Sequence, residues 1–476
     1  MEDIYLFNTL SRTKEKFVPI EPGKVKLYTC GPTVYDYQHI GNLRTFFFED
    51  ILKRVLLFNG FEVFHVMNIT DVGHLVSDDD EGEDKMEKGA AREGKTVWEI
   101  ADYYTGVFKN DINRLNIIPP KEYSKATDYI QEQVDMIECL EKKGFTYITS
   151  DGVYYDTSQF PTYANLAKLD IEGLQEGKRI EFSKEKKNIT DFALWKFSPK
   201  DSTRQMEWES PWGKGFPGWH IECSAMSKKL LGSHLDIHCG GVDHIPIHHT
   251  NEIAQSEVCN GEKYVNYWLH GEFLLEDSGK MSKSKGEFLT LQTLVDKGYS
   301  PMHYRYYLLN THYRKRLNFS FEGLDTAKNG YESLSGKILQ LKKDSGDGDI
   351  SSPDKSYVEK FTKVINDDLN VTEGLAVLWE LIRDKDIPAS VKLGTGYELD
   401  KVLGLELSEL PSASAGNIPD DLKNLAEERL LAKKNKDFTL ADKLRDEIKT
   451  MGYEVMDTKD GYEIKNIKSP PGKAGF

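Results

Sequence analysis

Two short stretches of this 476-residue chain carry groups suited to phosphate chemistry. His39, Ile40, Gly41 and Asn42 stand between an apolar run, "KVKLYTC", and an amphipathic one. A strand passing directly into a helix would present N–H groups and a positive dipole end to an anion. Gly41 would let a flat ring come close to the backbone. The His39 imidazole can donate to charge growing on a phosphate, and the Asn42 amide can also donate. The second stretch, "GKMSKSKG", sets Lys280, Ser282 and Lys283 between two glycines. Such a loop can close over a polyphosphate, where its ammonium groups offset charge moving onto a leaving pyrophosphate. Taken singly, the first stretch also reads as a turn with an exposed histidine and the second as a solvated basic loop.

A third constellation suits a metal. "HHTNEIAQS" places His248 and Glu252 four residues apart, on one face of an expected helix. Cys30 precedes the His39 loop and Cys223 lies in "GWHIECSAM". Two thiolates, one imidazole and one carboxylate form a zinc donor set. Only His248/Glu252 is suggestive from spacing, since each cysteine taken alone reads as an ordinary core residue. His238, Cys239, His244 and His249 are rival donors. His249 is expected to point away from the face shared by His248 and Glu252. His238 and Cys239 precede Gly240-Gly241, where close approach of backbone to a nucleotide is expected.

The elements that must position these groups follow from the pattern. A strand at 24–30, a helix at 40–60 closed by Gly60 and a strand at 61–70 predict a βαβ unit in a parallel sheet. Its first loop lies at the carboxyl end of a strand, where open α/β sheets bind ligands. The pattern breaks between about 115 and 215, with a hairpin signal at Asp151-Gly152, and resumes at "HLDIHCGG". That stretch is read as an insertion into a Rossmann-like catalytic domain spanning 1–310, whose lysine-loop region covers about 271–300. From Ser300-Pro301 the chain reads as helical, giving a bundle over 311–410. "LPSASAGNIPD" is a linker by composition, and 420–476 is a small mixed domain of charged helices and a hairpin. The acidic run "SDDDEGEDKMEKG" (77–89) reads as a solvated loop or as helix-start charge.

Composition narrows the class. Two to four domains suit this length, since single cores rarely exceed about 250–300 residues. There is no apolar run of membrane-spanning length and no signal-peptide pattern at the N-terminus. Five scattered cysteines argue against a disulfide framework and for a reducing, cytoplasmic setting. The net charge of −16 disfavours broad nucleic-acid binding but permits a local basic surface for one defined partner.

The pairing of an early HIG loop with a late KMSKS resembles the class I aminoacyl-tRNA synthetases, whose signatures are HIGH and KMSKS. "YTCGPTVYD", "PGWHIECSAM" and "HHTNEIAQS" narrow the resemblance to the cysteinyl-tRNA synthetase family, along the full length. The departure is Asn42, where that family's signature has a second histidine. The resemblance implies one zinc ion held by Cys30, Cys223, His248 and Glu252, binding the thiol of L-cysteine. It implies Gly31, Thr70 and Trp219 around the amino acid. ATP with Mg²⁺ would meet His39, Gly41, Asn42, Gly240, Gly241, Asp243, Lys280, Ser282 and Lys283. Among these His39, Lys280 and Lys283 would be catalytic, and Asp243 would contact either the ribose or the substrate amine. It further implies tRNA(Cys) as acceptor, a monomer, and no editing site. A thiolate–zinc bond distinguishes cysteine from serine or alanine, where an apolar pocket yields only about 1–3 kcal/mol. Two rival readings share these motifs. One is a cysteine ligase acting on an amino sugar, a relative that matches only the catalytic part closely. The other is a non-catalytic zinc-containing RNA-binding paralogue. "KKNKDFTLADKLRDEIK" offers cations to an anticodon stem or is a plain solvated helix.

Overall fold

The computed structural model describes residues 2–73, 85–169, 185–199, 204–276, 279–280, 288–346, 350–410, 420–435, 437–458 and 461–466. They fall into two compact units, 1–409 and 410–476. No helix among the described residues is long and apolar enough to cross a membrane.

The first unit opens with a hairpin, β1 (Tyr5–Asn8) and β2 (Thr13–Lys16), followed by β3 (Lys24–Thr29), α1 (Ile40–Phe58) and β4 (Glu62–Ile69). The helix α1 is capped by His39 and ends at Asn59, with Gly60 at φ 83° carrying the chain into β4. Helices α2 (Lys85–Glu93) and α3 (Val97–Arg114) precede a short strand, β5 (Glu122–Lys125). Thr96 and Glu99 form a reciprocal capping box at the start of α3.

The insertion carries α4 (Ile130–Lys142) and an antiparallel sheet of β6 (Thr146–Ile148), β7 (Gly152–Tyr155), β8 (Phe192–Phe197) and β9 (Gly215–Pro217). Trp195, Tyr155 and Leu194 bury its inner face against Ile137 and Leu140 of α4. The chain then returns through α5 (Trp219–Leu231), β10 (Leu235–Gly241), α6 (His248–Asn260) and β11 (Val265–Gly271).

β3, β4, β5, β10 and β11 form one parallel sheet in the order β11-β10-β3-β4-β5. The strand order reverses between β3 and β10, which places the binding crevice beyond the carboxyl ends of those two strands. The edge strand β5 lies inside the stretch that sequence assigned to the insertion. It has four residues, Glu-Tyr-Ser-Lys, and no apolar alternation to reveal it.

Beyond the sheet, β12 (Leu274–Glu276) pairs with β13 (Gly279–Lys280) and with β14 (Leu317–Asn318). Ser300 caps α8 (Pro301–Leu309), which follows the short α7 (Leu291–Asp296). Four helices follow: α9 (Phe321–Ser345), α10 (Lys355–Ile365), α11 (Val371–Arg383) and α12 (Ala389–Leu403). The fully buried Arg305 fastens this region to the α/β core. It pairs with Asp50 of α1 at 2.7 Å and donates to the carbonyls of Leu115 and Leu403 at 2.8 Å each. The second unit has α13 (Asp420–Lys434), α14 (Phe438–Thr450) and the hairpin of β15 (Tyr453–Thr458) and β16 (Gly461–Asn466), closed over Leu422, Ala426, Ile448 and Val455.

Candidate active site and metal centre

The ends of β3 and β10 are joined where Cys30 N–H donates to Cys239 O at 3.1 Å. Cys30 is thereby fixed at the floor of the crevice. Cys223 arrives from α5, and His248 and Glu252 from the first turns of α6. Their ligand atoms, Sγ, Sγ, N and O, all lie within 4.8 Å of one another, and all four residues are buried. Glu252 Oε1 lies 3.1 Å from His248 Nε2 and has no hydrogen-bond partner among the described residues.

The opposite faces of these side chains are held from outside. His238 Nε2 lies 2.9 Å from Glu252 Oε2, and Tyr264 Oη donates to the same oxygen at 3.3 Å. His220 Nδ1 meets His248 Nδ1 at 3.0 Å. The outer atoms, Glu252 Oε2 and His248 Nδ1, are therefore engaged.

The charges of the cluster are interdependent. Burial pushes the Cys30 thiol well up, and the neighbouring Cys223 adds to the effect. At Cys223 burial acts in the same direction, but Cys30 and His248 outweigh it and draw the thiol down to about 7. Burial also opposes ionisation of Glu252, yet His238 and His248 hold its carboxyl well below the usual range. His248 is pushed up to about 10, with burial opposing and Glu252 and Cys223 prevailing. A proton on His248 thus balances the cluster's negative charge, a task that a bound cation can take over.

The expectation for His249 is overturned. Its Nε2 lies 3.3 Å from Cys30 Sγ and 3.9 Å from Glu252 Oε1. Cys30, His238, His249 and Glu252 form a second four-donor group that overlaps the first. At three residues from Glu252, His249 sits only about 60° from it around the helix. His249 Nδ1 is tied to His270 Nε2 at 2.7 Å.

A cavity of about 140 Å³ rises from this floor. Cys30, Gly31, Thr70, Trp219, His248, Asn42, Gly241 and Asp243 are among the residues that line it. The Trp219 ring lies 4.4 Å from the His248 ring and lines the cavity beside it. The Thr70 hydroxyl is already engaged, donating to Glu222 at 2.9 Å and accepting from Asn68 at 3.0 Å. Gly31 has a structural reason: a Cβ there would sit 1.7 Å from Asn68 O. Gly240 has one too, since a Cβ would meet the His249 ring at 2.8 Å.

At the start of α1, Asn42 N–H donates to His39 Nδ1 at 3.0 Å. The neutral His39 ring then carries its proton on Nε2, as a hydrogen-bond donor. The ring that approaches Gly41 is His39's own, with Nδ1 2.9 Å from where a Cβ would be. Ile40 N–H donates to Leu289 O at 2.9 Å, and His39 bridges to Thr290. These amides of the helix start are occupied, so an anion there meets side chains more than free N–H groups. Lys280 pairs with Leu275 through the backbone. Ser282 and Lys283 lie outside the described residues, as does most of the acidic run 77–89.

The description "tRNA synthetases class I (C) catalytic domain" matches residues 16–329. Along nearly the whole chain, similarity extends to cysteine–tRNA ligase 1 of Burkholderia lata, 50% identical over 460 residues and covering 96% of each chain. The cysteine–tRNA ligase of Treponema denticola is 47% identical, covering 95% of this chain and 97% of the relative. The chain belongs to the class I cysteinyl-tRNA synthetases. Among solved structures, methionyl-tRNA synthetase of Mycobacterium tuberculosis with methionyl-adenylate shares the fold, with TM-score 0.55 and 14% identity over 84% of this chain and 94% of that one. As a cysteine–tRNA ligase, the chain presents a buried S, S, N, O donor set with a carboxylate oxygen that lacks a hydrogen bond among the described residues, which fits zinc. Sequence reasoning missed His220 as the partner of His248 and Tyr264 as that of Glu252. The first was legible as the i, i+3 companion of Cys223 in "HIEC"; the second had no local signal.

Proposed function

We propose that this synthetase selects L-cysteine through zinc held by Cys30, Cys223, His248 and Glu252, activates it with ATP, and transfers it to tRNA(Cys). The observation that carries the reading is one cavity lined by Cys30 and His248 of the sulfur-rich donor set together with Asn42, Gly241 and Asp243. Bound zinc would supply a soft Lewis acid for the substrate thiol, a contact that serine's hydroxyl cannot match.

The chain's own residues do the rest by positioning and charge. The Trp219 ring closes the small pocket beside the donor set. The cysteine carboxylate attacks the α-phosphate of ATP, giving cysteinyl-adenylate and pyrophosphate. His39 Nε2–H, Lys280 and Lys283 offset charge on the phosphates, with Ser282 and Asn42 as further donors and Mg²⁺ accompanying ATP. A terminal ribose hydroxyl of tRNA then attacks the cysteinyl carbonyl, forming the ester as the acyl–phosphate bond breaks and AMP leaves. No side chain acts as a covalent nucleophile. Residues 311–410 and 420–476 serve tRNA binding. Their presence favours tRNA over an amino sugar as acceptor.

Cysteine-dependent ATP–pyrophosphate exchange by the pure chain, run beside tRNA charging, tests the reading. Exchange without charging would support a different acceptor, and no exchange would support the non-catalytic paralogue.

A further inference from the structure

Cys139 and Cys259 form a disulfide across 120 residues of sequence, with Cα atoms 5.9 Å apart. Cys139 lies near the end of α4, and Cys259 is the penultimate residue of α6. Both are half-buried beside a surface cavity that also takes in Met136, Lys228 and Glu132. The other three cysteines are buried. They lie at the floor of the crevice, in and beside the donor cluster. The two groups of cysteines therefore differ in access.

The surroundings of Cys259 are cationic. Lys228 Nζ lies 3.6 Å from its Sγ, and Lys143 Nζ lies 3.2 Å from its carbonyl oxygen. The two ammonium groups are close enough that Lys143 lowers the pKa of Lys228, after burial has done most of that. Ammonium groups beside a sulfur favour the thiolate, which is the form that attacks an oxidant. A resolving cysteine stands within bonding distance.

We propose that Cys139 and Cys259 are a peroxide-oxidisable dithiol, a modification site separate from the metal centre, whose closure ties the end of the His248/Glu252 helix to the insertion. The Cys259 thiolate attacks one oxygen of hydrogen peroxide; the O–O bond breaks and hydroxide leaves, taking a proton to become water. The Cys139 thiolate then attacks the sulfur of the resulting sulfenic acid. The S–S bond forms, the S–O bond breaks, and a second water departs. Two thiols are oxidised and one peroxide is reduced by two electrons. A dithiol reductant reverses the bond by exchange.

The test treats the reduced full-length chain with hydrogen peroxide and digests it without reductant. The expected product is one peptide pair joining Cys139 to Cys259, two hydrogens lighter than the sum of its parts and cleaved by dithiothreitol. In Cys139→Ser, dimedone should trap a sulfenic acid at Cys259; in Cys259→Ser it should trap none at Cys139. Lys228→Ala should slow sulfenic-acid formation several-fold. The oxidised wild type should melt higher than the reduced one, a difference absent from Cys139→Ser. Full alkylation of both cysteines after peroxide treatment would overturn the proposal. So would a bond that dithiothreitol leaves intact in the folded chain, since the pair would then be a permanent brace.

Discussion

The backbone N–H of Ile40 donates to the carbonyl oxygen of Leu289 at 2.9 Å, joining the helix start after His39 to the segment that follows the lysine loop. The His39 ring also meets the Phe288 ring edge-on at 6.0 Å. The helix start after His39 is thereby anchored to Phe288 and Leu289, which follow the lysine loop in sequence.

Lys283→Ala should therefore slow ATP–pyrophosphate exchange by about 10²–10³-fold, the usual cost of losing one donor to transition-state charge. Bound zinc, measured by metal analysis, should stay unchanged, because the metal donors lie at the crevice floor. Unaltered exchange would remove Lys283 from the catalytic role.

His238→Ala should weaken zinc binding by about 10–100-fold in a chelator competition. The Glu252 oxygen that His238 holds at 2.9 Å would be freed to turn away from the cluster. His238→Gln, which restores a donor, should recover part of the affinity. Tyr264→Phe should cost less, because its bond to the same oxygen is longer at 3.3 Å.

How these donors were distributed explains what the sequence could reveal. His248 and Glu252 were legible because one helix turn separates them. Cys30 and Cys223 come from a strand end and a distant helix, so no spacing links them, and only the family resemblance brought them forward. His249, expected to point away, stands at i, i+3 to Glu252, which carries its ring to the cluster. The sheet was legible where strands are apolar and illegible at β5, whose short polar edge needs no apolar alternation. The Cys139–Cys259 pair had no sequence signal, since five scattered cysteines allow many pairings.

Gly31→Ala should destabilise the chain by about 3 kcal/mol or more in urea unfolding, because the new Cβ would overlap Asn68 O. The strands β3 and β4 would have to part, so cysteine activation should fall together with stability. Wild-type stability in this variant would contradict the packing.

Asp71 gives a pH dependence. Burial raises its carboxyl from 3.8 to about 6, against hydrogen bonds from Thr127. The folded state therefore binds the proton more tightly than the unfolded state. Its contribution to stability is greatest below pH 4, declines as the pH rises to 6, and is flat above that, by about 3 kcal/mol at most. Unfolding of wild type and Asp71→Asn between pH 4 and 8 should show their difference changing over that window alone.

The central claim is that the four-donor metal site selects the thiol. The most direct measurement is kcat/KM for ATP–pyrophosphate exchange with cysteine, serine and alanine, on the zinc-loaded chain and on Cys223→Ala. The account predicts that cysteine leads serine and alanine by about 10⁴-fold or more when zinc is bound, and that the lead collapses in Cys223→Ala as zinc is lost. A lead of only about 10²-fold on the loaded chain, or one that survives without zinc, would contradict it.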